Sequence, residues 1–119
     1  MTRRVLVVDD HPSFRRLVSR LLTNGGYDVV AQVSTGRAAY EASARLDPDL
    51  VLLDIVLPDE DGFTLSVRLA GLPRPPIVVL VSSRAREDFG GMIESSPVRG
   101  FLGKADLTLA RLSGLVDGG

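Results

Sequence analysis

The chain has 119 residues, no cysteine and a formal net charge of −1, and 45% of its residues are hydrophobic. This length is typical of one domain that buries its own core without disulfides, and no apolar run approaches the roughly 20 residues needed to cross a bilayer. The arginines are scattered rather than gathered in a basic stripe, which argues against direct nucleic-acid binding. We therefore expect a single cytoplasmic domain over residues 1–119, with no effector domain in the chain and no membrane partner.

In the first half of the chain, two strands alternate with two helices. They are predicted at residues 5–8 (strand), 13–24 (helix), 27–33 (strand) and 36–46 (helix). The first run is apolar without polar alternation, which is typical of a strand buried on both faces of a parallel sheet. Gly25 and Gly26 end the first helix, and Pro48 ends the second because proline disfavours helical geometry at the residue before it.

The second half continues the alternation. Strands are predicted at residues 50–53, 77–81 and 100–102, and helices at residues 63–69, 86–95 and 107–116. The helix at 86–95 is expected to be weak or mobile, because Gly90 and Gly91 each cost on the order of 1 kcal/mol relative to alanine. The ten alternating elements predict the α/β class, with a doubly wound five-stranded parallel sheet and five helices.

Reactive side chains follow the predicted ends of four strands. They are Asp9 and Asp10, Asp54, Ser82 and Lys104. In an open α/β sheet, ligands bind outside the carboxyl ends of the strands, next to the point where the strand order reverses. Neighbouring carboxylates at that edge can hold a divalent cation and present an aspartate nucleophile. The pattern therefore predicts a phosphoryl-acceptor site.

Each of these residues also has a structural interpretation. The Asp pair could cap the first helix, since Asp is favoured at helix N-termini, and a single lysine is usually a solvated surface group. Asp54 has the weakest structural alternative, because a buried unpaired carboxylate is costly. His11, the only histidine, has no second His or Cys with which to form a zinc site, so we assign it to the entry of the first helix.

Three segments resemble a known family, the receiver domain of two-component response regulators, which has a flavodoxin-like fold. They are V-L-V-V-D-D-H-P, V-L-L-D-I-V-L-P-D-E-D-G and G-F-L-G-K-A. The resemblance implies that Asp54 accepts a phosphoryl group from a histidine kinase or phosphotransfer protein. It also implies that Asp9, Asp10, Asp54 and the backbone carbonyl of Val56 hold Mg²⁺, with Asp9 acting directly or through a water. Lys104 would contact a phosphoryl oxygen.

The opening D-D-H-P most resembles the branch whose full-length members often carry a helix-turn-helix DNA-binding domain, so transcription regulation is the expected output. The family usually has a switch hydroxyl at the end of the fourth strand. Counting forward from Pro76 gives Val81 at this position, whereas counting back from Lys104 gives Ser82, which we favour slightly. Phe101 is the second expected switch residue. Phosphorylation would then change the surface of the fourth helix, fifth strand and fifth helix, through which the family expectation is a homodimer.

Other functions are considered. A receiver-like module that binds proteins without phosphorylation is the main alternative, supported by Val81 and the weak fourth helix. A phosphatase of the haloacid dehalogenase type would need a second acid two residues after the nucleophile, where the chain has Val56. A dinucleotide-binding domain would need a glycine-rich turn after the first strand. We expect no enzyme activity beyond accepting and losing the chain's own phosphoryl group.

Overall fold

The computed structural model describes residues 2–118. Its strands are β1 (Arg4–Val8), β2 (Asp28–Val33), β3 (Leu50–Asp54), β4 (Ile77–Ser82) and β5 (Gly100–Gly103). They form one parallel sheet in the order β2-β1-β3-β4-β5. The order reverses between β1 and β3, which places a crevice at the carboxyl ends of these two strands.

Within residues 2–118, four α-helices cover the two faces of the sheet. They are α1 (Pro12–Asn24), α2 (Gly36–Leu46), α3 (Gly62–Ala70) and α4 (Leu109–Asp117). Thr35, Asp61 and Thr108 cap α2, α3 and α4, each accepting a hydrogen bond from a backbone amide in the first turn. None of the helices within residues 2–118 has the length and apolar character needed to span a bilayer.

Strands β1, β3 and β4 are buried on both faces, which explains why their apolar runs do not alternate, whereas the edge strands β2 and β5 are only partly buried. Leu6 and Val8 pack in one hydrophobic cluster, which includes Leu65 and Leu69 of α3. Val5 and Val7 pack in a second cluster, on the other face of the sheet, with side chains of α1 and α4 such as Leu22 and Leu112. The predicted class, a doubly wound α/β domain with five parallel strands, is confirmed.

The number of helices differs from the prediction. The α-helix expected at residues 86–95 is absent, and the segment contains a single 3₁₀ turn at Arg86–Phe89 followed by turns and bends. Gly90 has a φ of +58°, outside the helical region, which interrupts the helix at its centre. Phe89 anchors the segment by packing 5.7 Å from Phe63 and 6.1 Å from Phe101 between ring centroids. Ile93 is also buried.

Candidate functional site

Two carboxylates meet at the crevice because their strands are adjacent. Val8 pairs with Leu53 in the sheet, so Asp9 and Asp54 extend side by side from β1 and β3. Both side chains are buried, whereas Asp10 is partly exposed. One ligand atom from each of Asp9, Asp10, His11 and Asp54 lies within 4.8 Å of the others. This group, called the acidic cluster below, could hold a metal ion.

Lys104, the only lysine in the chain, supplies the positive charge of the site. It follows β5, and its Nζ lies 2.7 Å from Oδ2 of Asp9 and 3.4 Å from Oδ2 of Asp54. The same Nζ lies 4.5 Å from the centroid of the Phe14 ring, a distance that allows a cation–π contact. Lys104 therefore lies against the two buried carboxylates rather than in solvent.

Burial dominates the electrostatics of Asp54. It raises the pKa of this carboxyl to about 6, and the negative charge of Asp9 acts in the same direction. The Lys104 ammonium and the Val56 amide lower the pKa, the amide by donating a hydrogen bond of 3.2 Å to Oδ1 of Asp54. The cluster thus holds more negative charge than Lys104 alone balances, which fits a site for a cation.

The donor set also indicates which cation would fit. Asp9, Asp10 and Asp54 offer carboxylate oxygens, the ligands that Mg²⁺ prefers, and Mg²⁺ usually takes one or two carboxylates together with waters and phosphate oxygens. His11 is the N-cap of α1, in agreement with a helix-entry role, and its backbone amide donates to Oδ1 of Asp9 at 2.8 Å. Its ring is largely exposed, with Nδ1 3.1 Å from Asp9 and 3.2 Å from Asp10.

A pocket of about 410 Å³ opens over Asp54. Its lining residues are Asp10, His11, Asp54, Val56, Ser82, Ser83 and Arg84. Ser83 and Arg84 were not singled out from the sequence, although their place directly after β4 could have indicated them. The residues that line the pocket thus include acidic, hydroxyl and cationic types around the buried carboxylate.

Val81 and Ser82, the two positions considered at the end of β4, lie in different surroundings. Asp54 pairs with Val81, and Val81 packs in the cluster that contains Val5 and Val7. Ser82, one residue later, is buried and lines the pocket, where its Oγ accepts a hydrogen bond from the Arg84 amide at 3.0 Å. The hydroxyl at the end of β4 therefore belongs to Ser82, and Val81 lies in the core.

Phe101 lies apart from the pocket. It is half-buried on β5, its ring contacts Phe89, and the guanidinium carbon of Arg86 lies 6.0 Å from its ring centroid. Phe101 therefore connects β5 with residues 83–99, the connection between β4 and β5, rather than touching Asp54.

Comparisons with known proteins agree with the fold. The chain is 38% identical over 112 residues to a protein-glutamate methylesterase/protein-glutamine glutaminase of Archaeoglobus fulgidus, covering 92% of this chain and 32% of that relative. It is 30% identical to the chemotaxis protein CheY of Bacillus subtilis, over 73% of this chain and 72% of CheY. The chain thus spans about a third of the methylesterase and most of CheY.

A solved structure shows the same fold at similar identity. The signal receiver domain of the response regulator NarL from Mycobacterium tuberculosis superposes with a TM-score of 0.83 and 31% identity, covering 96% of each chain. Residues 5–113 match the family model of the response regulator receiver domain. This match covers most of the chain, including Asp9, Asp54 and Lys104. The chain belongs to the response regulator receiver domain family of two-component signalling systems.

Proposed function

We propose that the chain is a phosphorylation switch in which Asp54 accepts a phosphoryl group from a histidine kinase or phosphotransfer protein. The observation that carries the proposal is the burial of Asp54 beside Asp9, with Lys104 at 3.4 Å from its Oδ2. An oxygen of Asp54 would form the new bond to phosphorus while the bond between phosphorus and the donor histidine nitrogen breaks. The reaction needs alignment and charge neutralisation more than acid–base chemistry.

The side chains around Asp54 would divide this work. The Val56 amide holds Oδ1 of Asp54 and so limits rotation of the carboxylate. Lys104 would neutralise a phosphoryl oxygen. The bond from the Arg84 amide uses a lone pair of the Ser82 Oγ, so the hydroxyl proton of Ser82 can be donated to the phosphoryl group. Asp9, Asp10, Asp54 and the Val56 carbonyl would hold Mg²⁺. Bound Mg²⁺ would neutralise the charge of the transferred group and of the carboxylates.

Phosphoryl transfer is tested by intact-mass measurement after incubation with Mg²⁺ and a small-molecule phosphodonor. We expect a phosphoryl-sized adduct in the unaltered protein, none without Mg²⁺ and none in Asp54→Asn. A folded, Mg²⁺-saturated protein that forms no adduct would contradict the proposal. It would favour the alternative, a receiver-like binding module that signals without phosphorylation, for which the missing helix at residues 86–95 is the supporting observation.

The structural change caused by phosphorylation would spread from the pocket through Ser82 and Phe101. Movement of Ser82 toward the phosphoryl group would shift residues 83–99, and Phe101 would follow through its contact with Phe89. The surface of this connection, β5 and α4 would then change, and we propose it as the surface for a partner or a second copy of the chain. Hydrogen exchange of residues 86–96 should change on phosphorylation, and Phe101→Ala should abolish this change without reducing the adduct. An unaltered response in Phe101→Ala would contradict the coupling.

A further inference from the structure

Three consecutive acidic residues follow the strand that carries Asp54, and together they contact α2 and α3. They are Asp59, Glu60 and Asp61, in the loop at residues 55–61 between β3 and α3, called the acidic loop below. Asp61 caps α3 by accepting from the Thr64 amide at 2.8 Å. Asp59 and Glu60 also contact α2, which is distant in the sequence.

Asp59 ties the acidic loop to α2. Its Oδ1 accepts from the Gly36 amide at 2.8 Å and its Oδ2 from the Arg37 amide at 3.0 Å. These are the first two amides of α2, which have no partner within the helix. The third amide, of Ala38, donates to Oγ1 of Thr35 at 3.1 Å. The side chains of Asp59 and Thr35 therefore accept hydrogen bonds from the first three amides of α2, and only Asp59 belongs to the acidic loop.

Glu60 brings the loop into direct contact with the start of α2. A Cβ atom at Gly36 would lie 2.5 Å from Cγ and Oε2 of Glu60, so the glycine leaves the space that Glu60 fills. Glu60 also accepts two hydrogen bonds from one nitrogen of Arg68, at 2.8 and 2.7 Å, and the Arg68 guanidinium stacks 4.6 Å above the Tyr40 ring. The acidic loop is thus packed between α2 and α3.

The same loop carries Val56 to the pocket. Val56 and Asp61 pair in an antiparallel bridge, and the Gly62 amide donates to the Ile55 carbonyl at 2.7 Å. The bridge closes the loop at its base, and Asp59 holds its outer turn. A shift of the turn away from α2 would be transmitted through this short closed loop to Val56.

We infer that Asp59 is a positioning residue for the cation site, because it fixes the acidic loop to α2 and thereby holds Val56, a residue that lines the pocket. The inference rests on the proposed function, in which the Val56 carbonyl is a Mg²⁺ ligand. Outer-shell partners of metal ligands typically change metal affinity by 10- to 100-fold. Since Asp59 acts through a loop rather than a direct bond to a ligand, we expect about a tenfold loss in Asp59→Ala.

The experiment is a calorimetric titration of Mg²⁺ into four proteins: the unaltered chain, Asp59→Ala, Asp59→Asn and Thr35→Ala. Thr35→Ala is the matched control, because it removes the other cap of α2 but leaves the acidic loop attached. We expect Kd to rise about tenfold in Asp59→Ala, less in Asp59→Asn, which keeps one accepting oxygen, and less than twofold in Thr35→Ala. Exchange of the Val56 and Gly62 amides should accelerate only in the two Asp59 variants.

Three results would overturn the inference. The first is a Kd in Asp59→Ala equal to that of the unaltered chain, and the second is an equal loss in Thr35→Ala, which would assign the effect to helix stability. The third is a loss that disappears at high salt, which would assign it to the removed charge, since salt screens exposed charges. Absence of Mg²⁺ binding by the unaltered protein would instead overturn the proposed function, and the inference with it. Asp59→Asn keeps the test valid if Asp59→Ala does not fold.

Discussion

Two connections border the pocket, and they are held to the rest of the molecule in different ways. The acidic loop is closed by the Val56–Asp61 bridge and anchored to α2 and α3 by Asp59, Glu60 and Asp61. The connection between β4 and β5, residues 83–99, contains two adjacent glycines and a single 3₁₀ turn. Its main anchors are the partly buried Phe89 and the buried Ile93.

This difference matches the work that we propose for each connection. The acidic loop carries a proposed metal ligand, and a ligand must be held in place before the cation arrives. The connection at residues 83–99 would carry the response, and a responding element needs two arrangements of similar free energy. One border of the pocket would thus be fixed and the other adaptable. Substitutions on each border test this contrast.

The largest effect is expected from Gly62→Ala, at the fixed border. A Cβ atom at Gly62 would lie 2.9 Å from the carbonyl oxygen of Asp54 and from Cα of Ile55. Because these are backbone atoms, they cannot rotate away, and we expect the free energy of unfolding to fall by about 2 kcal/mol. Urea unfolding followed by circular dichroism measures the change.

The control for this substitution is Gly114→Ala, on α4. Apart from its chain neighbours and its own helix backbone, no heavy atom of residues 2–118 lies within 4 Å of a Cβ at Gly114, so alanine should be tolerated there or should stabilise the helix. Equal stability of Gly62→Ala and the unaltered protein would show that the acidic loop can move away from α3. The proposed contrast between the two borders would then be lost.

A smaller effect is expected from Asp54→Asn, which removes the buried charge at the end of the fixed border. The pKa of Asp54 rises from 3.8 to about 6 on folding, so the folded state binds a proton more tightly than the unfolded state. The stability that this proton contributes is present below about pH 4 and is lost as the pH rises to 6. At pH 7 the unaltered protein therefore carries the cost of a buried carboxylate, and Asp54→Asn should be more stable by on the order of 1 kcal/mol.

The pH dependence of stability shows whether the gain in Asp54→Asn comes from removing the buried charge. The stability difference between Asp54→Asn and the unaltered protein, from urea titrations without Mg²⁺, should shrink from pH 7 to pH 4 as Asp54 takes up its proton. Saturating Mg²⁺ at pH 7 should reduce or reverse the difference, because the ion binds the charged carboxylate. A difference that is constant with pH would show that burial does not perturb Asp54.

The strands and the charged residues at their ends could be predicted from the sequence, whereas the end of β4 could not. Strands β1, β3 and β4 were predictable because each one fills both faces of the sheet with apolar side chains. Once the strands were placed, Asp9, Asp54 and Lys104 fell at one edge by the general rule for open α/β sheets. The sequence left both Val81 and Ser82 open for the hydroxyl position at the end of β4, since an apolar run does not show where the strand ends. The pairing of Asp54 with Val81 places Val81 in the core and Ser82 at the pocket.

The two borders were harder to predict, for opposite reasons. In the sequence, the acidic loop resembles an ordinary polar loop. The contact of Asp59 with Gly36 joins residues 23 positions apart, so no local sequence pattern indicates it. At residues 86–95, Gly90 and Gly91 correctly indicated weakness, but the α-helical assignment was wrong. The positive φ at Gly90 and the packing of Phe89 between Phe63 and Phe101 determine that segment.

The smallest effect is expected from Gly91→Ala, at the adaptable border. No heavy atom lies within 4 Å of a Cβ at Gly91, and its φ is not in the left-handed region. Alanine at such a site restricts mainly the unfolded chain, so we expect the free energy of unfolding to rise by about 0.5 kcal/mol. Gly90→Ala is the matched control and should lower it, because Gly90 has a φ of +58°.

This pair of substitutions tests why the connection between β4 and β5 is adaptable. If Gly91→Ala raises stability and slows hydrogen exchange across residues 86–96, the freedom of the segment comes from its glycine backbone rather than from its few side-chain anchors. If Gly91→Ala lowers stability, the segment must pack more closely than the open space around Gly91 indicates. The two borders of the pocket would then be more alike, and the phosphorylation response proposed for residues 83–99 would need another element to carry it.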